Sequence, residues 1–480
     1  MKYIFYIFSC LFLLSILVFS ETIITYPIVD TGQKRSYNNK TEISFPKKGN
    51  PFFGNDAMFK SNSPSYTDNK DGTITDNVTG LMWQKKTGDK ITLKQANAKV
   101  KKLNLAGHHD WRLPTIKELY SLILFTGIDP NPYVTSPKGL TPFIDTKFFT
   151  FKYGTYFIGE RIIDCQYASS TKYVSTTMQN NPTLFGVNFA DGCLKGYPLI
   201  STRTKEDSRF YFIFVRGNKV YGQNKFVDLK NGTIKDQATG LTWTQMDSGF
   251  LANSDKSKEG MNWVEALEYA EKLNHGGHSD WRLPNIKELQ SIVDYTRSPK
   301  TTQSPAIHPL FKLTKIKCED QSENYAFYWS STSHLTPKGA QSANYIAFGE
   351  ALSYIKDKKT EKATLMNAHG AGAQRSDLKT GDPADDPSEY RRQGDVRRIN
   401  NYVLCVRGGN SVFVEKGPKV IFKYRKTPPL LKRLDKNNDG KLSQSEFDGP
   451  LKYFKLLDKN SDGQLTLDEL PKGSPRKRKR

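Results

Sequence analysis

The chain has 480 residues, which is too long for one hydrophobic core and therefore predicts two or more domains. Hydrophobic residues make up 37% of the chain and aromatic residues 12%, which excludes a disordered chain. The formal net charge of +22 does not bear on the fold, but it predicts polyanionic partners.

The first twenty residues have the layout of a secretory signal peptide. Lys2 gives a short positive start, and residues 3–19 are almost entirely apolar up to a cleavage point before Glu21. An uncleaved anchor is the alternative, because about seventeen apolar residues lie at the lower limit for a membrane span. No other segment approaches that length. We therefore expect a secreted, periplasmic or cell-surface protein with no transmembrane span after cleavage, in which residues 21–65 form an N-terminal linker.

Two copies of one domain follow, because several sequence blocks occur twice in the same order. The pairs are DNKDGTITDNVTGLMW (68–83) with DLKNGTIKDQATGLTW (228–243), HHDWRLPTIKELYSL (108–122) with HSDWRLPNIKELQSI (278–292), YASST (167–171) with YWSST (328–332), and VRG (215–217) with VRG (406–408). A period of roughly 150 to 180 residues is too long for a solenoid unit and indicates a duplicated domain. We place the copies at 66–217 and 226–409.

Local sequence predicts an α+β fold for each copy. Asp71-Gly72 and Asn231-Gly232 lie between alternating segments and predict β-hairpin turns, each followed by an apolar strand with Trp83 or Trp243. Apolar residues at helical spacing then predict a helix, at Leu93, Ala96, Val100 and Leu103 in the first copy and at Ala266, Leu267, Ala270 and Leu273 in the second.

A second helix is predicted in each copy by the spacing of a capping box. Thr115 with Glu118, and Asn285 with Glu288, place a side-chain acceptor and a carboxylate three residues apart. The remainder of each copy reads as short strands that end near the VRG triplets, a pattern typical of antiparallel sheets.

The repeated blocks resemble the family named after the C-terminal domain of the Legionella collagen-like adhesin. The motifs DGTI, TGLxW, DWRLPTxKEL, WSST and VRG carry this resemblance, over about 66–217 and 226–409. It implies a fold similar to C-type lectins and to formylglycine-generating enzymes, and its name-giving member binds sulfated glycosaminoglycans. The first copy departs from the pattern, with Ala168 where the second has Trp329 and Phe214 where the second has Cys405. A site that depends on those positions would exist only in the second copy.

The second copy also carries an insertion at about 356–398, rich in charged residues, Gly, Ala and Pro. Its HGAGAQRSDLKTGDP stretch (369–383) resembles a loop of longer family members. We interpret it as a long surface loop, which leaves a functional and a disordered loop as alternatives.

Four cysteines remain after removal of the signal peptide, and an even number in an exported chain favours disulfides. Four cysteines allow three connectivities. We favour Cys165–Cys193 and Cys318–Cys405, one bond in each copy, because each domain contains two cysteines and is expected to fold alone.

Two consecutive loops near the C-terminus have the pattern of EF hands, DKNNDGKLSQSE (435–446) and DKNSDGQLTLDE (458–469). Calcium is a hard cation that takes six to eight oxygen ligands, so it needs several short oxygen-bearing side chains on one tightly turned loop. Polar turns between helices are the alternative, but two complete ligand sets in tandem favour calcium.

The sequence predicts two Ca²⁺ ions in an EF-hand pair at 430–472. The expected ligands are Asp435, Asn437, Asp439, Lys441 (through its carbonyl), Ser443 and Glu446 in the first loop, and Asp458, Asn460, Asp462, Gln464 (through its carbonyl), Thr466 and Glu469 in the second. Leu442 and Leu465 are expected to pair the loops. Only residues 447–457 separate the loops, which predicts short helices and a structural role for calcium rather than switching.

No strong catalytic constellation is present in the sequence: GxSxG, HExxH and phosphate-binding glycine loops are missing. The spacing of His275 and His278 allows a metal site, but turn histidines are the simpler interpretation. Cys405 lies near the place of the active-site cysteines of formylglycine-generating enzymes, without a second cysteine nearby. We do not expect an enzyme.

Positive charge is concentrated after the second copy, in a basic linker (410–429) and a basic tail (473–480). Residues 410–434 contain seven Lys or Arg and one acid, and 476–480 are all basic. The sequence therefore predicts an adhesin or lectin-like binder of anionic polysaccharide or a cell-surface glycan, and not of nucleic acid, since export conflicts with a nuclear role. The alternatives are a protein-interaction module with structural calcium, a merely solubilising tail and, last, an enzyme on the same fold.

Overall fold

The computed structural model describes residues 26–251, 260–356, 360, 362–381, 394–418, 429–437, 439–459, 462–466 and 469–470. The predicted signal peptide, the basic stretch 419–428 and the basic tail lie outside these residues. The chain divides into two compact units, Met1–Pro418 and Lys419–Arg480. Both repeats therefore belong to one unit, and the EF-hand segment forms the other. None of the helices in the described part of the chain has the length and apolar character needed to cross a bilayer.

The segment before the first repeat is packed into the protein and is not a linker in its described part, 26–65. It contains strands β1 (Ser36–Tyr37), β2 (Glu42–Ile43) and β3 (Phe59–Lys60) and a 3-10 turn at Asp56–Met58. Met58 is fully buried, and the Gln33 side-chain amide donates to the carbonyls of Phe125 (3.1 Å) and Ser333 (2.6 Å), one in each repeat. Residues 26–65 thus connect the two repeats through buried contacts.

The first repeat consists of seven strands and two helices. They are β4 (Tyr66–Asp68), β5 (Thr73–Asp76), β6 (Leu81–Gln84), α1 (Leu93–Lys101), α2 (Ile116–Ser121), β7 (Gln166–Thr177), β8 (Asn181–Asn188), β9 (Cys193–Pro198) and β10 (Val215–Gly217), with a 3-10 turn at Tyr156–Ile158. An antiparallel sheet has the order β10-β6-β5-β4.

The second repeat contains the same elements and several additional ones. They are β11 (Phe226–Asp228), β12 (Thr233–Asp236), β13 (Leu241–Thr244), α3 (Ser248–Leu251), α4 (Trp263–Lys272), α5 (Ile286–Ser291), α6 (Pro299–Thr302), β14 (Lys315–Lys317), β15 (Glu323–Tyr325), β16 (Phe327–Thr336), β17 (Gly339–Ala347), β18 (Leu352–Lys356), β19 (Ala363–Asn367), β20 (Ala373–Leu378) and β21 (Val406–Gly408). Its small sheet, β11-β12-β13-β21, matches that of the first repeat, and β22 (Val412–Phe413) then pairs with β3.

The predicted helices and hairpins are confirmed, and so is the α+β class. Gly72 and Gly232 lie in the hairpin turns with φ of 92° and 82°, values that L side chains rarely adopt. Both capping boxes form as expected: Thr115 and Asn285 accept from the backbone N–H three residues on, and Glu118 and Glu288 accept in return.

The Trp-Arg-Leu-Pro blocks are structural, because each arginine fastens the second helix to the small sheet. Arg282 donates to both carboxylate oxygens of Glu288 at 2.6 Å, and its backbone N–H donates to the Val406 carbonyl at 3.0 Å. Arg112 and Glu118 make the same two-pronged contact in the first repeat. A fork of this kind is geometrically demanding, which explains why both copies carry the block.

The two repeats share a six-stranded sheet with the order β16-β17-β20-β9-β8-β7. The seam lies between β20 and β9, where Gln374 faces Leu194 and its side chain accepts from the Leu194 N–H at 3.1 Å. This corrects the expectation for the insertion at 356–398. Residues 373–378 are a central strand rather than a surface loop, and 382–393 lie outside the described residues.

The repeats are related by an approximate two-fold arrangement, visible in reciprocal contacts of α2 and α5. Lys117 Nζ donates to the Ser291 carbonyl (2.6 Å), and its counterpart Lys287 donates to the Ser121 carbonyl (2.9 Å). Apolar side chains of both helices belong to one hydrophobic core. The two repeats therefore pack as an intramolecular pair around a common core.

The EF-hand unit has short helices, as the spacing predicts. It contains α7 (Pro429–Leu434), β23 (Leu442–Ser443), α8 (Leu451–Leu457) and β24 (Gln464–Leu465). Its own small core includes Leu431, Leu434, Phe454 and Leu470.

Candidate calcium and polyanion sites

The two EF loops are joined by a short antiparallel ladder. Leu442 pairs with Leu465, as predicted, and both side chains are fully buried against Phe454. Gly440 and Gly463 take φ of 82° and 78° at the sixth loop position, where the chain turns sharply. The loops are therefore held back to back by apolar packing, with their polar residues facing away from it.

In the first loop the acidic side chains fold back over the loop backbone. Asp435 accepts from the N–H groups of Asp439 (3.2 Å) and Gly440 (3.0 Å), so the first position is fixed against the fifth and sixth. Glu446 accepts from Lys436 N–H at 3.1 Å and from the Ser443 hydroxyl at 2.7 Å. The carboxylate of position 12 thus lies over the beginning of the loop.

The second loop repeats these contacts. Asp458 accepts from the N–H groups of Asp462 (3.2 Å) and Gly463 (3.0 Å), and Glu469 accepts from Lys459 N–H (3.0 Å) and the Thr466 hydroxyl (2.7 Å). The predicted ligand Asn460 lies outside the described residues.

The chemistry of both loops fits a hard cation. Hydrogen bonds from the Ser443 hydroxyl and backbone N–H hold the pKa of Glu446 below its usual value, so its carboxylate is ionised at neutral pH. Across the described residues no three His, Cys, Asp or Glu side chains form a ready-made metal cluster. The EF loops instead combine carboxylates with amide, hydroxyl and backbone oxygens, a set of donors that Ca²⁺ accepts and soft metals do not.

A cationic face on α1 distinguishes the first repeat from the second. Four lysines on or next to this helix are exposed, and none forms an ion pair with a described residue: Lys94, Lys99, Lys101 and Lys102. The corresponding helix α4 carries Glu265, Glu268 and Glu271 instead. The sequence analysis predicts this helix but not its cationic face, although LKQANAKVKK (93–102) against WVEALEYAEK (263–272) shows the contrast directly.

The predicted disulfides are wrong, because all four cysteines are unpaired and buried. Cys165 directly precedes β7 and Cys193 begins β9, and these strands lie on opposite sides of β8. Two strand spacings place their backbones about 9.6 Å apart, beyond the roughly 7 Å that a disulfide can bridge. Cys318 and Cys405 lie in separate apolar clusters.

The two departures of the first copy from the family pattern, Ala168 and Phe214, both concern core packing. Trp329 and Cys405 lie in the same core cluster of the second repeat, and their counterparts Ala168 and Phe214 lie together in the corresponding cluster of the first. The first repeat thus has the small side chain where the second has Trp329, and the large side chain where the second has Cys405. Trp329, with no exposed surface, is therefore a core residue.

His275 and His278 form a turn. Their backbones exchange two hydrogen bonds of 3.0 Å, and the His275 ring lies 2.9 Å from the Gly232 carbonyl oxygen. This agrees with the interpretation of these residues as turn histidines.

Comparison with known families agrees with this arrangement. The sequence model of the Lcl C-terminal domain family matches residues 72–216 and 232–366, which together make up more than half of the chain. The chain belongs to the Lcl C-terminal domain family. The EF-hand model matches residues 430–448 and 452–472 of this Lcl C-terminal domain protein. No curated protein and no solved structure matches it.

The family matches confirm the order of modules that the sequence predicts, namely two Lcl C-terminal domains followed by an EF-hand pair. The second match ends at 366, within β19, so β20 and β21 extend beyond it.

Proposed function

We propose that this Lcl C-terminal domain protein is an exported, calcium-binding, adhesin-like protein that binds anionic polysaccharide. The membership of an adhesin-like family and the EF hands support the general class. The lectin-like fold, export and the polysaccharide ligand are our proposals. The signal-peptide pattern supports export, and the net charge of +22 supports a polyanionic ligand.

The observation that carries the proposal is the cationic face of α1. Its four lysines project from one short helix without neutralising acids among the described residues, so their field is directed at solvent. Residues 66–217 carry a net charge of +7, from 20 basic and 13 acidic residues, whereas 218–409 carry only +3, from 26 and 23. We therefore place the polysaccharide contact on the first repeat, together with the basic segment 410–434.

Calcium has a structural role in this proposal. Each loop would hold one ion through the ligands that the sequence predicts, two ions in all. The loops are linked by a buried Leu442–Leu465 contact, and α8 spans only Leu451–Leu457. Short helices offer little apolar surface to expose on opening, which supports stabilisation of the unit rather than a switch.

We also propose that the protein binds without catalysis. The Cys405 thiol is 1% exposed in an apolar cluster, and burial raises its pKa well above the usual value. A thiol in that state is a poor nucleophile and a poor metal ligand.

The test is salt-dependent retention of the full chain on immobilised heparin. Changing Lys94, Lys99, Lys101 and Lys102 to Ser should lower the salt concentration needed for elution, because fewer counterions are released and fewer cations attract the polymer. The matched control changes the four exposed lysines Lys300, Lys312, Lys338 and Lys362 of the second repeat to Ser. Equal losses in both variants would show non-specific attraction and reject the α1 face.

A second variant addresses the basic segment. Changing Lys423, Arg425 and Lys426, which lie outside the described residues, to Ser should weaken heparin retention further in the α1 background. If the wild-type chain were retained at physiological salt no more strongly than a neutral protein, polysaccharide binding itself would be rejected.

A further inference from the structure

The first repeat has an open cavity of about 380 Å³ beside the start of α2. We call it the first-repeat cradle and define it by Arg112, Thr115, Lys117, Thr171 and Tyr221, which line it. None of its lining residues belongs to the cationic face of α1 or to the EF loops.

The equivalent place in the second repeat is occupied by the segment that precedes the repeats. We call it the second-repeat cradle and define it by Arg282, Asn285, Lys287 and Thr332. The Thr332 hydroxyl donates to Asp56 Oδ2 at 2.5 Å, and the Phe59 ring lies 5.2 Å from the Arg282 guanidinium carbon. Asp56 retains only 2% of its surface, so its carboxylate is enclosed.

The two cradles have the same threonine contact to the second helix, but among the described residues only the second-repeat cradle holds a carboxylate on that threonine. Thr332 accepts from Ile286 N–H at 2.9 Å, and Thr171 accepts from Ile116 N–H at 2.9 Å, so each hydroxyl has its proton left to donate. Thr332 gives that proton to Asp56. Among the described residues, no carboxylate receives the proton of Thr171.

Solvent exposure follows the same difference. The Arg112 side chain is 28% exposed and the Arg282 side chain 5%, although each holds a buried glutamate in the same way. Ser170 is exposed at the rim of the first-repeat cradle, whereas its counterpart Ser331 is 2% exposed. The surface that Asp56 and Phe59 cover in the second repeat is thus left open in the first.

The charge of the first-repeat cradle suits a carboxylate. Arg112, Lys117 and Lys219 line it, and Glu118, its one acidic lining residue, is already held by Arg112. A carboxylate placed on the Thr171 hydroxyl would therefore meet a surplus of positive charge, and an aromatic ring would find the exposed face of the Arg112 guanidinium.

We propose that the first-repeat cradle binds a peptide segment of a partner protein that carries a carboxylate at the start of a short turn and, three residues later, an aromatic ring, as Asp56 and Phe59 do. A second copy of this chain is a poor source, since its own Asp56 and Phe59 are already placed in the second-repeat cradle. This inference is independent of polysaccharide binding.

The probe is a fluorescent peptide of residues 52–62, FFGNDAMFKSN, titrated with the full chain and followed by anisotropy. It should bind saturably, and peptides with Asp56→Asn or Phe59→Ala should bind about tenfold more weakly or worse, because each removes one anchoring contact. Equal binding of the wild-type and Asp56→Asn peptides would overturn the proposal.

Protein variants locate the site. Thr171→Val should weaken peptide binding about tenfold, whereas Thr171→Ser keeps the hydroxyl and should restore it. Thermal unfolding of each variant checks that the fold is retained, and the Ser variant decides the question if the Val variant is unstable. Loss of binding with Thr332→Val but not with Thr171→Val would place the peptide in the second-repeat cradle and overturn the assignment.

Two further experiments test whether a sugar or a second copy of this chain occupies the cradle instead. A uronic-acid oligosaccharide that displaced the peptide as well as unlabelled peptide does would show a sugar site and reject a peptide partner. Sedimentation of the chain alone should show no Thr171-dependent self-association, and such association would identify a second copy as the occupant.

Discussion

Glu446 and Glu469, at position 12 of the two EF loops, each accept hydrogen bonds from the loop start and from a loop hydroxyl. Both carboxylate oxygens are thereby aimed over the loop, which suits two-oxygen ligation of a calcium ion. We expect the chain with Glu446→Gln and Glu469→Gln to lose most of its calcium affinity, because an amide offers one neutral oxygen. Calorimetric titration should show two sites in the wild-type chain. Glu415→Gln, an exposed acid outside the loops, is the control, and unchanged binding in the double variant would refute the assignment.

The arginine–glutamate forks allow a matched test of a buried ion pair at the residue scale. Glu288→Gln leaves Arg282, 5% exposed, without a charged partner, and should lower the free energy of unfolding by about 3–5 kcal/mol. Glu118→Gln should cost less, since Arg112 keeps 28% of its side chain exposed and water can solvate it. Urea denaturation measures both variants. A larger loss for Glu118→Gln would contradict the role of solvent in this difference.

At the scale of elements, local signals gave correct predictions and long-range contacts were missed. The capping boxes at Thr115 and Asn285 and the glycine turns at Gly72 and Gly232 depend on neighbouring residues, so sequence reasoning found them. The sequence does not predict strand β20, because its partner β9 lies about 180 residues away in sequence and belongs to the other repeat. The sequence does not predict the first-repeat cradle either. Its proposed occupant is recognised only from the contacts of Asp56 and Phe59 in the second repeat, which join residues more than 200 positions apart.

The sequence predicts a linker at 21–65, but in its described part the residues Asn55–Met58 are buried and Gln33 bonds to both repeats. Met58→Ala should therefore lower the free energy of unfolding by about 2–5 kcal/mol, since the side chain has no exposed surface and a cavity would remain. Lys60→Ala, an exposed position two residues on, should change it by less than about 0.5 kcal/mol. If the segment were a linker, urea denaturation would give the same free energy of unfolding for both variants.

In the described part of the first unit, the two repeats meet at two buried lysine side chains. Lys117 and Lys287 lie at equivalent places near the two-fold arrangement, and each donates to carbonyl oxygens of the opposite repeat. Burial lowers the pKa of Lys117 to about 8 and that of Lys287 to about 7. Desolvation thus outweighs the attraction of the more distant carboxylates, and both ammonium groups oppose folding when they are protonated.

This arrangement predicts how stability changes with pH. Between the folded pKa values, about 7 to 8, and the unfolded value of about 10.4, the unfolded chain binds more protons than the folded one. Stability should therefore rise with pH across this window, by up to about 1.4 kcal/mol per pH unit for each lysine, and the full penalty should remain below pH 7. Lys117→Met with Lys287→Met removes both titrations. Urea denaturation between pH 7 and 9.5 should then show a flatter pH dependence than the wild type, whatever the absolute stability. Lys300→Met with Lys312→Met, both exposed, should leave the slope unchanged, and equal slopes in all three proteins would show that the buried lysines do not titrate in this range.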